Sequence, residues 1–255
     1  MKAVILAGGM GTRISEESIF RPKPMITIGG KPILWHIMKL YAHYGIKDFV
    51  ICLGWKGYMI KDYFMNYDLH NSDFRVDLTN RSSTVLTQHG EDWQVELIDT
   101  GELTMTGGRL KRVARYVTDT FLMTYGDGVA DVDMEALIKQ HRSSKNLATL
   151  TAVRPSGRFG GLDIEGGQIT NFDEKRKTSS DWINGGFFVI EPEALATIEG
   201  DETSWEKEPL ETLASQSKLG VYKHSGFWSC MDTMRDRNYL ENEWASGHPA
   251  WKIWN

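Results

Sequence analysis

The chain opens with the stretch that decides its fold, which reads Lys2-Ala3-Val4-Ile5-Leu6-Ala7-Gly8-Gly9-Met10-Gly11-Thr12-Arg13. Its first part is a short apolar run rich in strand formers, and its second part is a glycine-rich turn. Because glycine has no Cβ, the backbone N–H groups of such a turn can approach an anion closely and form a concave, partly positive nest. A buried strand that feeds this turn therefore predicts a phosphate-binding loop, although the glycines alone are also compatible with a plain tight turn.

Two cations favour the phosphate-binding interpretation. Arg13 ends the turn, and its guanidinium can make a planar, bidentate contact with a phosphate. Lys23 lies between Pro22 and Pro24, which stiffen the backbone that aims its ammonium. Two common phosphate loops are excluded, because Ile14 stands where the dinucleotide fingerprint needs glycine and the P-loop pattern is absent from the sequence.

Length, charge and cysteine content narrow the class of protein. The 255 residues are enough for one large α/β domain with a substantial core. The formal net charge of −5 argues against a nucleic-acid partner or a membrane-surface partner, since both need a basic face. No apolar stretch approaches the ~20 residues of a membrane span, and the first apolar run is too short for a signal peptide. Cys52 and Cys230 have no metal-ligand spacing, which favours a reduced cytoplasmic protein but leaves a disulfide open.

Strand and helix signals alternate along the chain. Strands are predicted at 3–6, 49–53, 95–98, 121–125, 147–153 and 187–190, with a hairpin at 162–169. Helices are predicted at 33–44, 59–67, from 107, and at 134–142, 204–217 and 233–246. This order predicts an α/β fold whose mostly parallel sheet is flanked by helices and binds ligands at the carboxyl ends of its strands. Residues 68–93 are polar and predicted to be irregular, with a role in assembly or as a lid.

Two aspartates are candidates for a metal site. Asp127 follows the apolar strand 121–125 between two glycines, and Asp232 follows the aromatic run 227–231. Mg²⁺ prefers one or two carboxylates together with substrate phosphates, so this pair fits Mg²⁺. The alternatives are an ordinary turn residue for Asp127 and the N-cap of helix 233–246 for Asp232.

The string Leu6 to Arg13, followed by Pro22-Lys23-Pro24, resembles the sugar nucleotidylyltransferase family, whose members join a nucleoside triphosphate to a sugar 1-phosphate and release pyrophosphate. The resemblance covers nearly the whole chain. It implies a Rossmann-like mixed sheet with a small β-rich sugar-binding subregion, catalysis by Arg13, Lys23 and Asp127, and Mg²⁺ on Asp127 and Asp232. The nucleotide contacts that it implies are Leu6, Ala7, Gly8, Gly9, Met10, Gly11, Thr12, Arg13, Lys23, Thr104, Arg109 and Gly128.

A second cluster resembles the sugar-phosphate half-site of the same family. The residues that would bind the sugar phosphate are Gly160, Glu174, Lys175, Asn184, Gly185 and Gly186. The chemistry is suitable, because a carboxylate accepts hydrogen bonds from hydroxyls, an ammonium meets a phosphate, and glycine lets a ring lie on the backbone. Glu174-Lys175 alone is equally compatible with a solvated charge pair. Arg176 stands where the family commonly has proline, which leaves the stiffness of that loop open.

Several further stretches resemble the branch of the family that makes CDP-glucose, namely 14–18, 104–110, 125–131, 183–188, 205–210 and 227–233. This resemblance implies CTP and α-D-glucose 1-phosphate as substrates, a place in dideoxyhexose and surface-polysaccharide synthesis, and a homo-oligomer. It also implies one domain in which residues 1–153 mainly bind nucleotide, 154–232 mainly bind sugar phosphate, and 233–255 form a C-terminal helix and tail. The alternatives are a uridylyl- or thymidylyltransferase acting on a hexose 1-phosphate, a nucleotide-sugar sensor without turnover, and a structural subunit.

Overall fold

The centre of the molecule is a seven-stranded sheet. A computed structural model describes residues 1–87, 90–154 and 182–254, and the backbone of 161–165 and 168–173. The strands of the sheet are β1 (Ala3–Leu6), β2 (Asp48–Leu53), β3 (Gln94–Asp99), β4 (Phe121–Tyr125), β5 (Ala148–Val153), β6 (Ile183–Ile190) and β7 (Leu219–His224).

The strand order across the sheet is β7-β5-β6-β4-β1-β2-β3. Neighbouring strands are parallel except around β6, which runs antiparallel to both β4 and β5. The predicted α/β class with a mostly parallel mixed sheet is therefore confirmed. The antiparallel direction of β6 matters for the site, because its first residues lie at the edge where the other strands end.

Six helices of eight or more residues flank this sheet in the described part of the chain. They are α1 (Ile33–His43), α2 (Gly57–Met65), α3 (Thr106–Val113), α4 (Met134–Arg142), α5 (Glu208–Ser215) and α6 (Met234–Ala245). Shorter helical turns are Thr12–Ile14, Ser15–Ser18, Lys23–Met25, Tyr67–Asn71, Ala114–Tyr116 and Pro192–Thr197. In the described residues, no helix combines the length and the hydropathy that a membrane crossing would need.

The core lies on both faces of the sheet. Successive residues of β1 alternate between two buried clusters, with Ala3 and Ile5 in one and Val4 and Leu6 in the other. The first cluster packs against α1, α4 and α6, and the second packs against α3 and α5. A strand with both faces buried must be apolar at every position, which explains the continuous apolar runs of the central strands.

The segment 68–93 differs from its prediction as an irregular region. It contains the short helix Tyr67–Asn71 and a hairpin formed by Asp73–Asp77 and Ser82–Thr87. Threonine and valine are good strand formers even where the surroundings are polar, and Arg81 takes a positive φ of 51° in the connecting turn. Polarity was therefore a poor guide to strand content in this segment. Every residue of Ser82–Thr87 is exposed.

Three smaller antiparallel pairs complete the strands of the described residues. They join Thr27–Ile28 to Lys31–Pro32, Gly128–Ala130 to Trp228–Cys230, and Gly161–Glu165 to Gln168–Asp173. The last pair confirms the predicted hairpin strands, whereas its Gly-Gly turn lies outside the described residues.

Two helices begin later than predicted. α5 starts at Glu208, with Pro209 in its first turn, which suits proline because the first helical N–H groups lack partners. α6 is capped by Thr233, whose hydroxyl accepts the Asp236 N–H while the Asp236 carboxylate accepts the Thr233 N–H. Asp232 is therefore not the N-cap, and its side chain is available for the site.

Candidate active site

The site forms where the ends of β1, β2 and β4 meet. The Ala7 N–H donates to the Cys52 carbonyl at 3.0 Å, and the Gly126 N–H donates to the Leu6 carbonyl at 3.0 Å. The Trp55 N–H donates to the Gly8 carbonyl at 3.1 Å. Backbone bonds to two neighbouring strands thus fix the start of the glycine-rich loop.

Lys23 joins the two predicted metal-binding aspartates. Its ammonium lies 2.7 Å from Asp127 Oδ2 and 2.6 Å from Asp232 Oδ1. Only 9% of the Lys23 side chain is exposed. Burial lowers the pKa of Lys23, but Asp127 and Asp232 outweigh burial, so the net direction of its pKa is upward and the ammonium stays charged.

Arg13 approaches the same carboxylate from the solvent side. Its Nη1 lies 2.7 Å from Asp232 Oδ2. Burial raises the pKa of Asp232, but the hydrogen bond and charge of Lys23 and the charge of Arg13 outweigh burial and hold that pKa below its usual value. The Cys230 thiol lies 3.6 Å from the same Asp232 oxygen. The three predicted catalytic residues and Asp232 therefore form one charged cluster.

A short antiparallel pair brings the two aspartates together. Gly128 pairs with Cys230 across the strands Gly128–Ala130 and Trp228–Cys230. The Met231 N–H donates to the Asp127 carbonyl at 2.8 Å. Asp127 precedes one of these strands and Asp232 follows the other, so the pairing register places both carboxylates beside Lys23.

Arg109 fastens the loop from beneath. Its guanidinium donates to the Gly8 carbonyl at 3.0 Å, the Leu53 carbonyl at 3.0 Å and the Gly101 carbonyl at 2.7 Å. It also donates to Thr100 Oγ1 at 2.8 Å. Only 4% of Arg109 is exposed, and this burial lowers its pKa. Arg109 thus braces the ends of β1, β2 and β3, and it brings positive charge under the loop.

Two glycines permit this close approach. A Cβ at Gly8 would overlap the Arg109 guanidinium and lie 2.9 Å from the Gly54 backbone nitrogen. A Cβ at Gly54 would lie 2.5 Å from the Gly8 carbonyl oxygen. Glycine at these positions is therefore required by the packing of the loop, in addition to any role with an anion.

The glycines at the start of α3 serve packing as well. A Cβ at Gly107 would lie 2.7 Å from the Thr203 carbonyl oxygen, and one at Gly108 would lie 2.6 Å from Asp201 Cα. Contact with residues 201–203 therefore accounts for glycine at both positions.

A cleft of about 360 Å³ opens over the loop. It is lined by all of the predicted nucleotide-binding residues except Met10 and Gly128, together with Pro24, Met105, Thr106, Tyr125, Gly126 and Asp127. Met10 is 40% exposed beside the loop. We call this cavity the loop cleft.

A second cleft, of about 440 Å³, adjoins the first and contains the described part of the predicted sugar-phosphate site. Its lining includes Asn184, Gly185 and Gly186, as well as Gly128. Gly160, Glu174 and Lys175 lie outside the described residues. We call this cavity the strand cleft, because its floor is the first part of β6.

The turn at the start of β6 is tightly held. Asn184 Oδ1 accepts the Gly186 N–H at 2.8 Å, and Trp228 Nε1 donates to the Gly185 carbonyl at 2.7 Å. Gly186 has a φ of +81°, and a Cβ there would lie 2.7 Å from the Tyr125 ring. Asn184 therefore orders the backbone of the cleft floor, and only glycine fits at 186.

Three residues in the two clefts were not singled out from the sequence. The Tyr125 hydroxyl donates to Glu206 Oε1 at 2.6 Å, and Thr106 Oγ1 donates to Glu206 Oε2 at 2.6 Å. Burial, followed by the charge of Glu206, raises the pKa of Tyr125. No spacing rule links positions 106, 125 and 206, since the contact depends on how α3, β4 and the segment before α5 pack. The neighbouring Trp205 is fully buried in the core.

Asp127 and Asp232 together offer two carboxylates to a divalent metal ion. Among the described residues, no group of three or more His, Cys, Asp or Glu side chains could hold an ion by itself. A Mg²⁺ site that uses substrate phosphates needs only one or two carboxylates. The ammonium of Lys23 between Asp127 and Asp232 shows that both carboxylates are close enough to contact one cation. The donor set therefore fits a hard divalent ion that arrives with a phosphate ligand. Members of the sugar nucleotidylyltransferase family, which the sequence resembles, generally use a divalent metal ion.

Comparison with known proteins agrees with this geometry. A family model described as nucleotidyl transferase matches residues 2–229. Curated glucose-1-phosphate cytidylyltransferases from Salmonella typhi and Salmonella typhimurium are each 57% identical to the chain over 256 residues, with all of this chain and all of each relative covered. The family resemblance predicted from the sequence is therefore confirmed.

Solved structures agree with the fold. The crystal structure of HddC from Yersinia pseudotuberculosis has a TM-score of 0.69 at 22% identity and covers 95% of this chain and 99% of that one. The structure of the inositol-1-phosphate CTP transferase from T. maritima has a TM-score of 0.63 at 16% identity, covering 94% of each chain. With the family model and the two full-length relatives, these matches lead to one conclusion: the chain belongs to the nucleotidyl transferase family.

Proposed function

We propose that the protein transfers the cytidylyl group of CTP to α-D-glucose 1-phosphate, giving CDP-glucose and pyrophosphate. The observation that carries this proposal is that the loop cleft and the strand cleft adjoin and share Arg13, Thr106, Tyr125 and Asp127. Two substrates held in adjoining clefts can react directly where the clefts meet. Two of these four residues are charged. Arg13 can bind a phosphate and Asp127 can bind a metal ion, as a reaction between two phosphates needs.

The reaction is an in-line attack by a phosphate oxygen of the sugar phosphate on the α-phosphorus of CTP. The nucleophile is already ionised at neutral pH, so no general base is required. Arg13 and Lys23 offset the repulsion between the two anions and bind the phosphates. Asp127 and Asp232 would hold Mg²⁺, which supplies Lewis-acid stabilisation of the charge that develops on the phosphate oxygens.

The choice of CTP and glucose 1-phosphate is supported by the two relatives that share 57% of the sequence over its full length. The phosphate-binding residues do not discriminate between pyrimidine triphosphates. A uridylyl- or thymidylyltransferase acting on a hexose 1-phosphate is therefore the second candidate.

For the sugar half-site we propose that Gly160, Glu174 and Lys175 bind the sugar phosphate together with Asn184, Gly185 and Gly186. Lys175 would meet the sugar phosphate, and Glu174 would accept hydrogen bonds from sugar hydroxyls. In this division of labour residues 1–153 mainly bind the nucleotide, 154–232 mainly bind the sugar phosphate, and 233–255 form a C-terminal helix and tail. β6 and β7 come from the second part but belong to the same sheet as β1 to β5.

We further propose a homo-oligomer in the cytoplasm whose product serves dideoxyhexose and surface-polysaccharide synthesis. The exposed hairpin Asp73–Asp77 and Ser82–Thr87 supports an assembly, because an isolated two-stranded hairpin is only marginally stable in water. Leu78 and Val76 on it are 85% and 63% exposed. The two free cysteines, Cys52 and Cys230, are consistent with a reducing compartment. Sedimentation velocity of the full chain tests the oligomer.

The decisive experiment measures pyrophosphate release with Mg²⁺ and glucose 1-phosphate, comparing CTP, UTP, dTTP and ATP in parallel. Release with CTP alone is the expected result. Release with another pyrimidine triphosphate in place of CTP would overturn the cytidylyl assignment but keep the reaction. Absence of release with all four would refute the proposed reaction, and thermal shift with CTP would then test whether nucleotide binds without turnover.

A further inference from the structure

Glu206 is a carboxylate in the strand cleft that has no role in the reaction proposed above. It lines the cleft with Asn184, Gly186 and Trp228, and it is exposed to the cavity. The hydrogen bonds that it receives from described residues come from two uncharged hydroxyls, those of Tyr125 and Thr106. A carboxylate held in a cavity by neutral donors keeps its negative charge available to a ligand.

The carboxylate is held in a defined orientation. Each of its oxygens accepts one hydrogen bond of 2.6 Å, Oε1 from Tyr125 and Oε2 from Thr106. Thr106 Oγ1 in turn accepts the Trp205 N–H at 2.9 Å. An ionised carboxylate offers about four acceptor positions, so further positions stay open on Glu206 after these two bonds.

The segment that carries Glu206 is packed against the core through its neighbour. Trp205 is fully buried and packs edge-on against Phe188 of β6, with ring centroids 6.3 Å apart. Pro209 follows in the first turn of α5. Glu206 thus follows directly on a buried core residue, and this packing helps to hold its carboxylate in one position, as a ligand-binding group requires.

Charge decides which part of a ligand Glu206 can meet. Arg13 lines the same cleft and pairs with Asp232, so the phosphate of a sugar phosphate is drawn to that end. A carboxylate repels a phosphate but accepts hydrogen bonds from neutral hydroxyls. The hexose ring, rather than the phosphate, is then the part of the ligand that can approach Glu206.

We propose that Glu206 accepts a hydrogen bond from a hydroxyl of the hexose and thereby selects the sugar. This inference rests on the proposed function and adds a substrate-binding residue to its sugar half-site. Tyr125 and Thr106 act as positioning residues that hold the carboxylate.

The test compares Glu206→Gln with the matched control Glu208→Gln. Glu208 is the first residue of α5, and its side chain is exposed. Pyrophosphate release is measured with glucose 1-phosphate and with its 2-, 3-, 4- and 6-deoxy analogues. Replacing the charged acceptor by an amide should lower kcat/KM for glucose 1-phosphate by about 10-fold. KM for CTP should stay within about twofold in both variants, and Glu208→Gln should match the wild type in every assay.

The deoxy series identifies the contact. For one analogue, the fall in kcat/KM relative to glucose 1-phosphate should be about 10-fold larger in the wild type than in Glu206→Gln. The reason is that the variant no longer makes the charged hydrogen bond to that hydroxyl. Equal penalties for all four analogues in both proteins would overturn the proposal. A rise in KM for CTP that equals the rise for the sugar phosphate would overturn it in favour of the nucleotide ribose.

Tyr125→Phe separates binding from bracing. It removes the donor to Oε1 and leaves the carboxylate, so it should keep the penalty for the same deoxy analogue. If Tyr125→Phe and Glu206→Gln gave the same profile over the series, Glu206 would be only a brace between α3 and β4. Failure of the wild-type protein to turn over CTP would instead count against the proposed function, and the two failures are therefore distinguishable.

Discussion

Arg13 Nη1 lies 2.7 Å from Asp232 Oδ2, although the two residues are 219 positions apart in the chain. The Arg13 side chain is 72% exposed, whereas that of Asp232 is 12% exposed. An exposed cation thus covers a largely buried anion, and Lys23 binds the other oxygen of the same carboxylate. Arg13 can therefore move to a phosphate without leaving Asp232 unpaired.

Arg13→Gln should lower turnover but spare the fold. Removing one cation that stabilises developing charge costs about 10²–10³ in kcat, whereas an exposed ion pair contributes less than about 1 kcal/mol to stability. Pyrophosphate release and thermal unfolding measure the two effects. Arg21→Gln is the matched control, because the Arg21 side chain is also partly exposed, at 40%, and pairs with Glu17 four positions earlier. If the single variants Arg13→Gln and Asp127→Ala both kept near-normal turnover, the catalytic assignment would be wrong.

Lys23→Met should lower both turnover and stability. Lys23 is buried between Asp127 and Asp232. Removing one partner of a buried ion pair costs about 3–5 kcal/mol of stability. We expect a loss of about 3 kcal/mol here, because Asp127 is partly exposed. The loss should be smaller at pH 4 than at pH 7. The pKa of Asp232 lies below its usual value only while its cations are present, so without Lys23 this carboxylate takes up a proton more readily as the pH falls.

Urea unfolding at the two pH values checks this expectation. The double variant Lys23→Met with Asp232→Asn provides the control, since it removes one of the two carboxylates that lose Lys23 and should recover part of the lost stability. A loss that is equal at both pH values, with no recovery in the double variant, would contradict it.

The cluster shows what could be predicted from the sequence and what could not. Arg13, Lys23 and Asp127 each carry a local signal, namely a glycine-rich turn, flanking prolines and a strand end. Glu206 carries none, because its contacts with Tyr125 and Thr106 exist only after three separate segments pack. Long-range contacts of this kind leave no spacing pattern in the chain.

The fold shows the same division. Central strands with both faces buried must be apolar throughout, so β1, β2 and β4 could be recognised as short apolar runs. The hairpin Asp73–Asp77 and Ser82–Thr87 escaped recognition, because an exposed hairpin needs neither an apolar run nor a buried face. The helix signal at 204–217 began too early for a related reason, since Trp205 is buried by tertiary packing before α5 starts.

Gly8→Ala and Gly9→Ala should differ sharply in stability although the residues are adjacent. A Cβ at Gly8 would overlap the Arg109 guanidinium, which its several hydrogen bonds hold in place, whereas a Cβ at Gly9 would meet no described heavy atom within 4 Å. Forcing an extra methyl group into a packed site costs about 1–3 kcal/mol, or a fall in Tm of roughly 3–10 °C for a chain of this size. Differential scanning fluorimetry checks the pair, and equal Tm values would show that Arg109 yields without cost.

His36 should make stability depend on pH between about 4 and 6.5. It is buried beside Trp251, its Nε2 lies 2.9 Å from the Ile28 carbonyl oxygen, and Trp251 Nε1 lies 3.4 Å from its Nδ1. These contacts suit a neutral ring that donates from Nε2 and accepts at Nδ1. Burial lowers the pKa of His36 to about 4, against the smaller opposing effect of its backbone hydrogen bonds.

The sign of the pH dependence follows from this depressed pKa. His36 takes up a proton near pH 6.5 in the unfolded chain but only near pH 4 in the folded chain. Its contribution to the free energy of unfolding is therefore complete above pH 6.5 and declines as the pH falls. The decline is about 2 kcal/mol between pH 7.5 and pH 5.0. Urea unfolding of the wild type and of His36→Gln measures it, with His248→Gln, an exposed position, as the control. The slope should flatten in His36→Gln alone, because glutamine carries no titrating group, and an unchanged slope would place the acid sensitivity elsewhere in the protein.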